Sequence, residues 1–242
     1  MVSAALLLGN EYTNRGGSFF LGDVKGLGGF SQYTLADEQL CFKIPPGLTY
    51  TESATVPLAA CTAWLALFSK SCLNIRQQQG SDISILIWGG TCKTPHKNHL
   101  YGHIGVSEAN PFLASTGRFA TQIAKIYKFR IIVTSSPRSF SLVRALGADH
   151  VLDYYDKDVI AKIKKLAPHL QHALDTVGSD TSPAIVSQAL ADKGGNLCGI
   201  RPGKAQVANI ASRANITDVS AWRAFLQEHL LKDISFAVSL SA

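Results

Sequence analysis

The 242-residue chain has no Cys-x-x-Cys pair, and its five cysteines (Cys41, Cys61, Cys72, Cys92 and Cys198) are odd in number and widely spaced. That pattern excludes a dense disulfide framework. It fits free thiols in a reducing compartment, so a cytoplasmic location is expected. An apolar run of membrane length is also missing. The longest, VPLAACTAWLALF at 56–68, is too short to cross a bilayer comfortably and reads as a buried helix. The opening MVSAALLLGNEY is apolar but has no basic flank and no cleavage site, which argues against a secretory leader. There is no internal repeat and no low-complexity tract. The net charge of +6 and pI near 9.1 are only mildly basic. The densest cationic group, Lys162, Lys164 and Lys165, reads as a solvated helix face rather than a nucleic-acid surface.

With 46% hydrophobic and 17% charged residues, the chain has enough apolar material for one sizeable core. From residue 81 onward, short β-branched runs alternate with helical stretches. ISILIW (83–88) is continuously apolar, as a parallel strand buried on both faces should be. Further strands are expected at RIIVT (130–134), HVLDY (150–154), HALDTV (172–177) and GNLCGI (195–200). Between them, RFATQIAKIYKF places Phe119, Ile123 and Ile126 on one helical face. A helix capped by Ser139 should stop at Gly147, and DKDVIAKIKKLA and SPAIVSQALA are helical in turn. This alternation predicts an α/β fold with a doubly wound parallel sheet of Rossmann type. Upstream, GFSQYTLAD alternates like a half-exposed strand, and KIPPGLTYTESA reads as a proline-glycine connector. The last segment, DVSAWRAFLQEHLLKDISFAVSLSA, begins as a helix and ends abruptly.

A dinucleotide site needs glycines where the backbone turns tightly next to an anion. It also needs a helix N-terminus, whose free amides and dipole favour negative charge. Gly89, Gly90 and Thr91 follow the first expected strand of the sheet, and Ser115, Thr116 and Gly117 precede the expected helix. Both halves have the right context, but residues 92–114 lie between them, and such a turn is ordinarily a few residues long. The intervening stretch carries Cys92, His96, His99 and His103, ligand types that could close a tetrahedral zinc site.

Joined, the halves read GGT-STGRFATQIAKIY. With GFSQYTLADEQLCFKIPPGLTYTESATVPLAACTAWLALF, SSPRSFSLVRALGADHVLDYYD and ALDTVG…SQALADKGGNLCGIRPGK, this resembles the zinc-free branch of the medium-chain dehydrogenase/reductase superfamily. It resembles more closely the fungal trans-acting enoyl reductases that serve polyketide synthases. The matching motifs run through most of residues 29–204 in the family's order.

The resemblance makes residues 92–114 an anomaly, and back-translation offers a cause. Cys92-Lys93-Thr94 can be encoded with an intron-like GTAAG start. Ala109 to Ala114 can be encoded with a CTAAC branch-point-like element, a pyrimidine run and a terminal TAG. Excision fuses the remaining bases into a serine codon and gives GGTSSTGRFA. A translated intron is therefore the preferred reading of 92–114, ahead of an ordinary surface insertion and of a metal site; no zinc is expected. A weaker discontinuity lies at 17–28, where GNEYTNRG would otherwise run into GFSQYTLAD.

The resemblance implies three regions. Residues 1–50 are a remnant of a GroES-like β-barrel substrate domain, 51–210 an NAD(P)-binding Rossmann domain, and 211–242 an incomplete C-terminal segment. It also implies a chain that lacks part of its substrate domain and is weakly active or inactive as written. The ribose end reads Thr134-Ser135-Ser136-Pro137-Arg138, without the acid that would select NAD. Ser136 and Arg138 suit a 2′-phosphate, so NADPH is preferred to NADH. By resemblance, Thr62 lies near the nicotinamide, with a plain core-helix threonine as the equal alternative, and Asp175 lies on the edge lining the cofactor cleft, where it could instead simply cap the next turn. The implied reaction is hydride transfer to the double bond of an enoyl thioester, with a polyketide synthase as candidate partner and no membrane or nucleic-acid partner. No general acid can be assigned. Alternatives are a quinone or alkenal reductase of the same superfamily, a non-catalytic nucleotide-binding remnant, and a metal-binding insertion protein.

Overall fold

The computed structural model describes residues 3–5, 41–90, 111–201, 208–221, 229–231 and 234–236. The chain divides into two compact units, Met1–Cys61 and Thr62–Ala242. In the first, β1 (Ser3–Ala5) pairs antiparallel with β2 (Cys41–Lys43). The expected strand GFSQYTLAD lies outside the described residues. Helix α1 spans Tyr50–Phe68 and so starts inside the expected connector. A capping box explains the early start. The Thr49 amide and hydroxyl donate to the Glu52 carboxylate at 2.9 and 2.7 Å, and the Glu52 amide donates back to Thr49 Oγ1 at 3.2 Å.

The second unit is built on a six-stranded parallel sheet. Its strands are β3 (Ser84–Trp88), β4 (Arg130–Ser135), β5 (His150–Asp153), β6 (His172–Asp175), β7 (Gly195–Gly199) and β8 (Ala214–Asp218). The order across the sheet is β5-β4-β3-β6-β7-β8, and every neighbouring pair is parallel. The expected doubly wound Rossmann-type fold is present. Strand β8 (ANITD) is an addition, and it carries the sheet past the expected boundary at 210. Its aliphatic side chains, Ala214 and Ile216, are separated by Asn215, and among the described residues it pairs with β7 alone, so it has no continuous apolar run to betray it.

Alternate residues of each central strand feed opposite faces, as the pleat requires. Ile85, Ile87, Ile131 and Val133 pack on one side with Ala63, Ala66 and Leu67 of α1 and with Ala120 and Ala124 of α2 (Pro111–Ile126). Val143 of α3 (Phe140–Ala145) joins the same layer. Leu86, Trp88 and Ile132 pack on the other side with α4 (Val159–Leu166) and α5 (Ser182–Ala189).

Several local expectations are corrected. Helix α2 begins at Pro111 rather than after Gly117. Its core stripe is centred on Ala120 and Ala124, with Phe119, Ile123 and Tyr127 flanking. Ile126 is 75% exposed, because at 100° per residue it falls nearly opposite Ala124. Ser139 occupies the α3 N-cap without a side-chain cap bond, whereas Gly147 does end that segment, at φ +111°. Near the end, His229–Leu231 (β9) and Ile234–Phe236 (β10) form an antiparallel pair, and the segment expected to begin as a helix at Asp218 opens on the last residue of β8. The α4 lysines are solvated as expected: Lys162 pairs with Asp156, and Lys164 lies 3.5 Å from Asp192.

Candidate functional site

Strand order reverses direction around β3. The chain moves from β3 through β4 to β5 on one side, then returns to β6 on the other. Ligands of such sheets bind at this switch point, beyond the carboxyl ends of the strands. Gly89 and Gly90 leave β3 there, with β4 on one flank and β6 on the other.

Three glycines make the turn sterically feasible. Gly89 has φ +88°, a conformation that side chains other than glycine's disfavour. A Cβ on Gly90 would lie 2.3 Å from Val133 Cγ1. A Cβ on Gly117 would lie 3.0 Å from Gly90 Cα and 3.1 Å from the Gly89 carbonyl oxygen. The two halves of the motif therefore meet in space although 92–114 separates them in sequence. Gly117 is the residue that lets α2 press against the turn. Thr91 and the four candidate metal ligands, Cys92, His96, His99 and His103, lie outside the described residues.

The turn is held from both sides by buried threonines, which the sequence reading did not single out. On the β4 side, the Gly89 and Gly90 amides donate to the Thr134 carbonyl at 3.1 and 2.9 Å, and Gly89 also donates to Thr134 Oγ1 at 3.1 Å. On the β6 side, the Thr176 hydroxyl lies 2.8 Å from both the Trp88 and Gly89 carbonyl oxygens. The amides of Gly89 and Gly90 are thus committed to the protein. Their contribution is the path of the backbone, and donors to an anion must come from residues beyond Gly90.

Those donors meet a complication. Because α2 starts at Pro111, Ser115, Thr116 and Gly117 lie past its first turn. Their amides are where intrahelical bonds form, and the free amides sit a turn earlier. Thr116 is buried and Ser115 partly so.

Asp175, at the end of β6, is fully buried and turned into its own loop. It accepts the Val177 and Gly178 amides at 2.9 and 3.1 Å and the Ser182 hydroxyl at 2.6 Å. Burial pushes its pKa up, opposed by the Ser182 hydroxyl, the two amides and the Arg201 charge. Its carboxylate shapes the β6–α5 turn and has no exposed surface to offer a cofactor. Arg201 closes the same turn, donating to the Gly178 carbonyl at 2.8 Å. Thr62 is buried in α1.

The ribose-end residues sit at the carboxyl end of β4. Ser136 is partly exposed and Arg138 exposed in a short 3-10 turn, Pro137–Ser139, and Ser136 makes no side-chain cap bond there. The neighbouring β5 adds Tyr154 and the 73% exposed Tyr155, their rings 4.2 Å apart. Two aromatics directly after a strand were the available sequence signal for them. A separate cavity of about 200 Å³, lined by Asp82, Ser84, His169 and His172, opens at the amino ends of β3 and β6. It is on the wrong edge to belong to this site. Among the described residues, no cluster of three or more metal-ligand side chains occurs, and no helix is long and apolar enough to cross a membrane.

Residues 116–223 match the zinc-binding dehydrogenase family. The chain is 32% identical to the trans-enoyl reductase fsa3 of Fusarium sp. (strain FN080326), over 75% of this chain and 46% of that protein. It is 31% identical to a trans-enoyl reductase of Gibberella fujikuroi with the same coverage. The chain is thus similar to zinc-binding dehydrogenases and to fungal trans-enoyl reductases. It spans about half the length of the curated relatives it matches. Among solved structures, the CurK enoyl reductase superposes with a TM-score of 0.55 at 21% identity, covering 77% of this chain and 49% of that one. The quinone oxidoreductase of Thermus thermophilus, solved also with NADPH, gives 0.53 at 21% identity, over 76% and 51%. These two likenesses establish the fold.

Proposed function

We propose that the protein is an NADPH-dependent oxidoreductase of the enoyl reductase type. The observation that carries this reading is the reunion of Gly89, Gly90 and Gly117 at the switch point of the sheet, where α2 packs so closely on the turn that a Cβ at Gly117 would lie 3.0–3.2 Å from its backbone. The residues fit a dinucleotide: the close approach at Gly117 leaves the helix N-terminal region over the carboxyl edge, where a pyrophosphate belongs. The similarity to fungal trans-enoyl reductases supports an enoyl thioester as substrate, with a polyketide synthase as its source. Bound NADPH supplies the hydride for the double bond. The protein binds it, orients it and keeps water away.

Ser136 and Arg138 are the proposed 2′-phosphate ligands. The support is their exposure at the end of β4 and the absence of an acid between Thr134 and Arg138. Zinc has no part in this reading. Residues 92–114 are proposed to be translated intron, and the GGTSSTGRFA form the competent one. Its helix would start at the serines and return their amides to the anion. The chain as written is then a weak binder, and the activity belongs to the form without 92–114.

The test is NADPH titration, by nicotinamide fluorescence, of this chain and of a version with 92–114 replaced by one serine. The shorter version should bind NADPH at least about tenfold tighter. Equal affinity in both would defeat the intron reading. No binding in either would defeat the nucleotide reading. The same titration with NADH and a 2-enoyl thioester assay separate an enoyl reductase from a quinone reductase and from a non-catalytic remnant.

A further inference from the structure

We propose that Thr176 is the positioning residue of the phosphate turn, with Thr134 as its counterpart across β3. The inference rests on the nucleotide reading above and deepens it. A turn that presents an anion site must hold one path, yet glycine is the residue least able to hold a conformation by itself. Gly89 and Gly90 have no side chains to pack, so their direction is imposed from outside. Thr134 takes both of their amides, through its carbonyl and, for Gly89, its hydroxyl. Thr176 takes the opposite side. Its hydroxyl, 2.8 Å from both oxygens, shares one proton between the carbonyls of Trp88 and Gly89.

The two sides differ in what a side chain can change. Most of the β4 clamp is backbone and survives substitution of Thr134. The Trp88 carbonyl also keeps a partner without the Thr176 hydroxyl, because the Thr176 amide donates to it at 3.0 Å. The Gly89 carbonyl has the Thr176 hydroxyl as its side-chain donor, and Thr176 is fully buried. Among the described residues, removing that hydroxyl leaves the Gly89 carbonyl facing a methyl group at a buried position, a situation a flexible glycine escapes by rotating its peptide. Rotation redirects the chain leaving Gly90, which is where the anion donors begin. Thr176 touches no ligand and acts through the turn.

The test uses the full chain and the variants T176V, T176S and T134V. Valine keeps the shape and deletes the hydroxyl; serine keeps the hydroxyl. T176V should weaken NADPH binding about tenfold, T134V less, and T176S by under about threefold. In parallel, hydrogen–deuterium exchange should show faster uptake in peptides spanning 84–90 for T176V, with the uptake of β5 and β7 unchanged. Valine binding like wild type, with unchanged uptake, overturns the inference and leaves the nucleotide reading intact. If the wild-type chain binds no NADPH, the nucleotide reading of this chain fails and exchange alone decides. Faster uptake at 84–90 that serine restores supports the clamp, and unchanged or globally raised uptake overturns it.

Discussion

Around Gly89 and Gly90 the chain is gripped by buried groups, whereas one strand away, at the end of β4, Arg138 stands in solvent beside the partly exposed Ser136. Both places lie on the carboxyl edge of one sheet and both were read from sequence as cofactor contacts. Their physics is opposite. At the centre, close packing leaves little room for a side chain at Gly90 or Gly117, and the proposed cofactor contact is inseparable from folding. At the flank, exposed side chains stand on a finished scaffold, and the selectivity proposed for them could change at little structural cost.

The sharpest way to break this contrast is Gly90→Ala. Its Cβ would need Val133 Cγ1 to yield substantially inside a packed layer, and valine is stiff at χ1. A loss of about 1–3 kcal/mol in denaturant unfolding is expected from overpacking. Unchanged stability would mean that the centre is softer than its geometry. Asp175→Ala comes next, because it strands two amides and the Ser182 hydroxyl at a buried position. Roughly 1–3 kcal/mol should be lost, and Asp175→Asn should restore much of it by keeping an acceptor for the amides. If asparagine is no better than alanine, the charge itself holds the turn.

A smaller effect is expected at the opposite edge of the sheet. Burial lowers the pKa of His172, whose Nδ1 is buried without a partner among the described residues. The unfolded chain then takes up a proton below about pH 6.5 while the folded one resists it. Stability should therefore fall as pH drops from about 6.5 through the lowered folded value. Replacing His172 with glutamine should flatten that acid limb in melting curves between about pH 7 and 5. Smallest in stability is Arg138→Ala, expected within about 0.5 kcal/mol of wild type as an exposed site. In the GGTSSTGRFA form it should nonetheless weaken NADPH about tenfold or more and leave NADH unchanged, since a charged hydrogen bond to phosphate is lost. Equal losses for both nucleotides would move Arg138 out of the 2′-phosphate site.

The strands of the sheet were legible wherever they were buried on both faces, because ISILIW, RIIVT and HALDTV need no alternation and show none. Strand β8 was not, since a strand with Ala214 and Ile216 as its aliphatic residues carries little pattern. The early start of α1 was written in Thr49 and Glu52, a capping box inside what looked like a connector. Ile126 was misplaced because a stripe drawn from Phe119 drifts off the true centre at Ala120 and Ala124. At the candidate site, glycine identity and spacing pointed to the turn, and the resemblance suggested the purpose proposed for it.

What the sequence determined by itself was therefore the order of elements, the parallel sheet and the family resemblance, with the glycines of the proposed site. These follow from periodicity, turn chemistry and motif order, which are local properties. Only tertiary structure decided that Gly117 touches Gly90 across a long interruption, and that Asp175 faces its own loop. It alone put Thr134 and Thr176 on either side of the turn. Each depends on which strands become neighbours, and β4, β3 and β6 are brought together by burying both faces of the sheet, not by any residue's own preference.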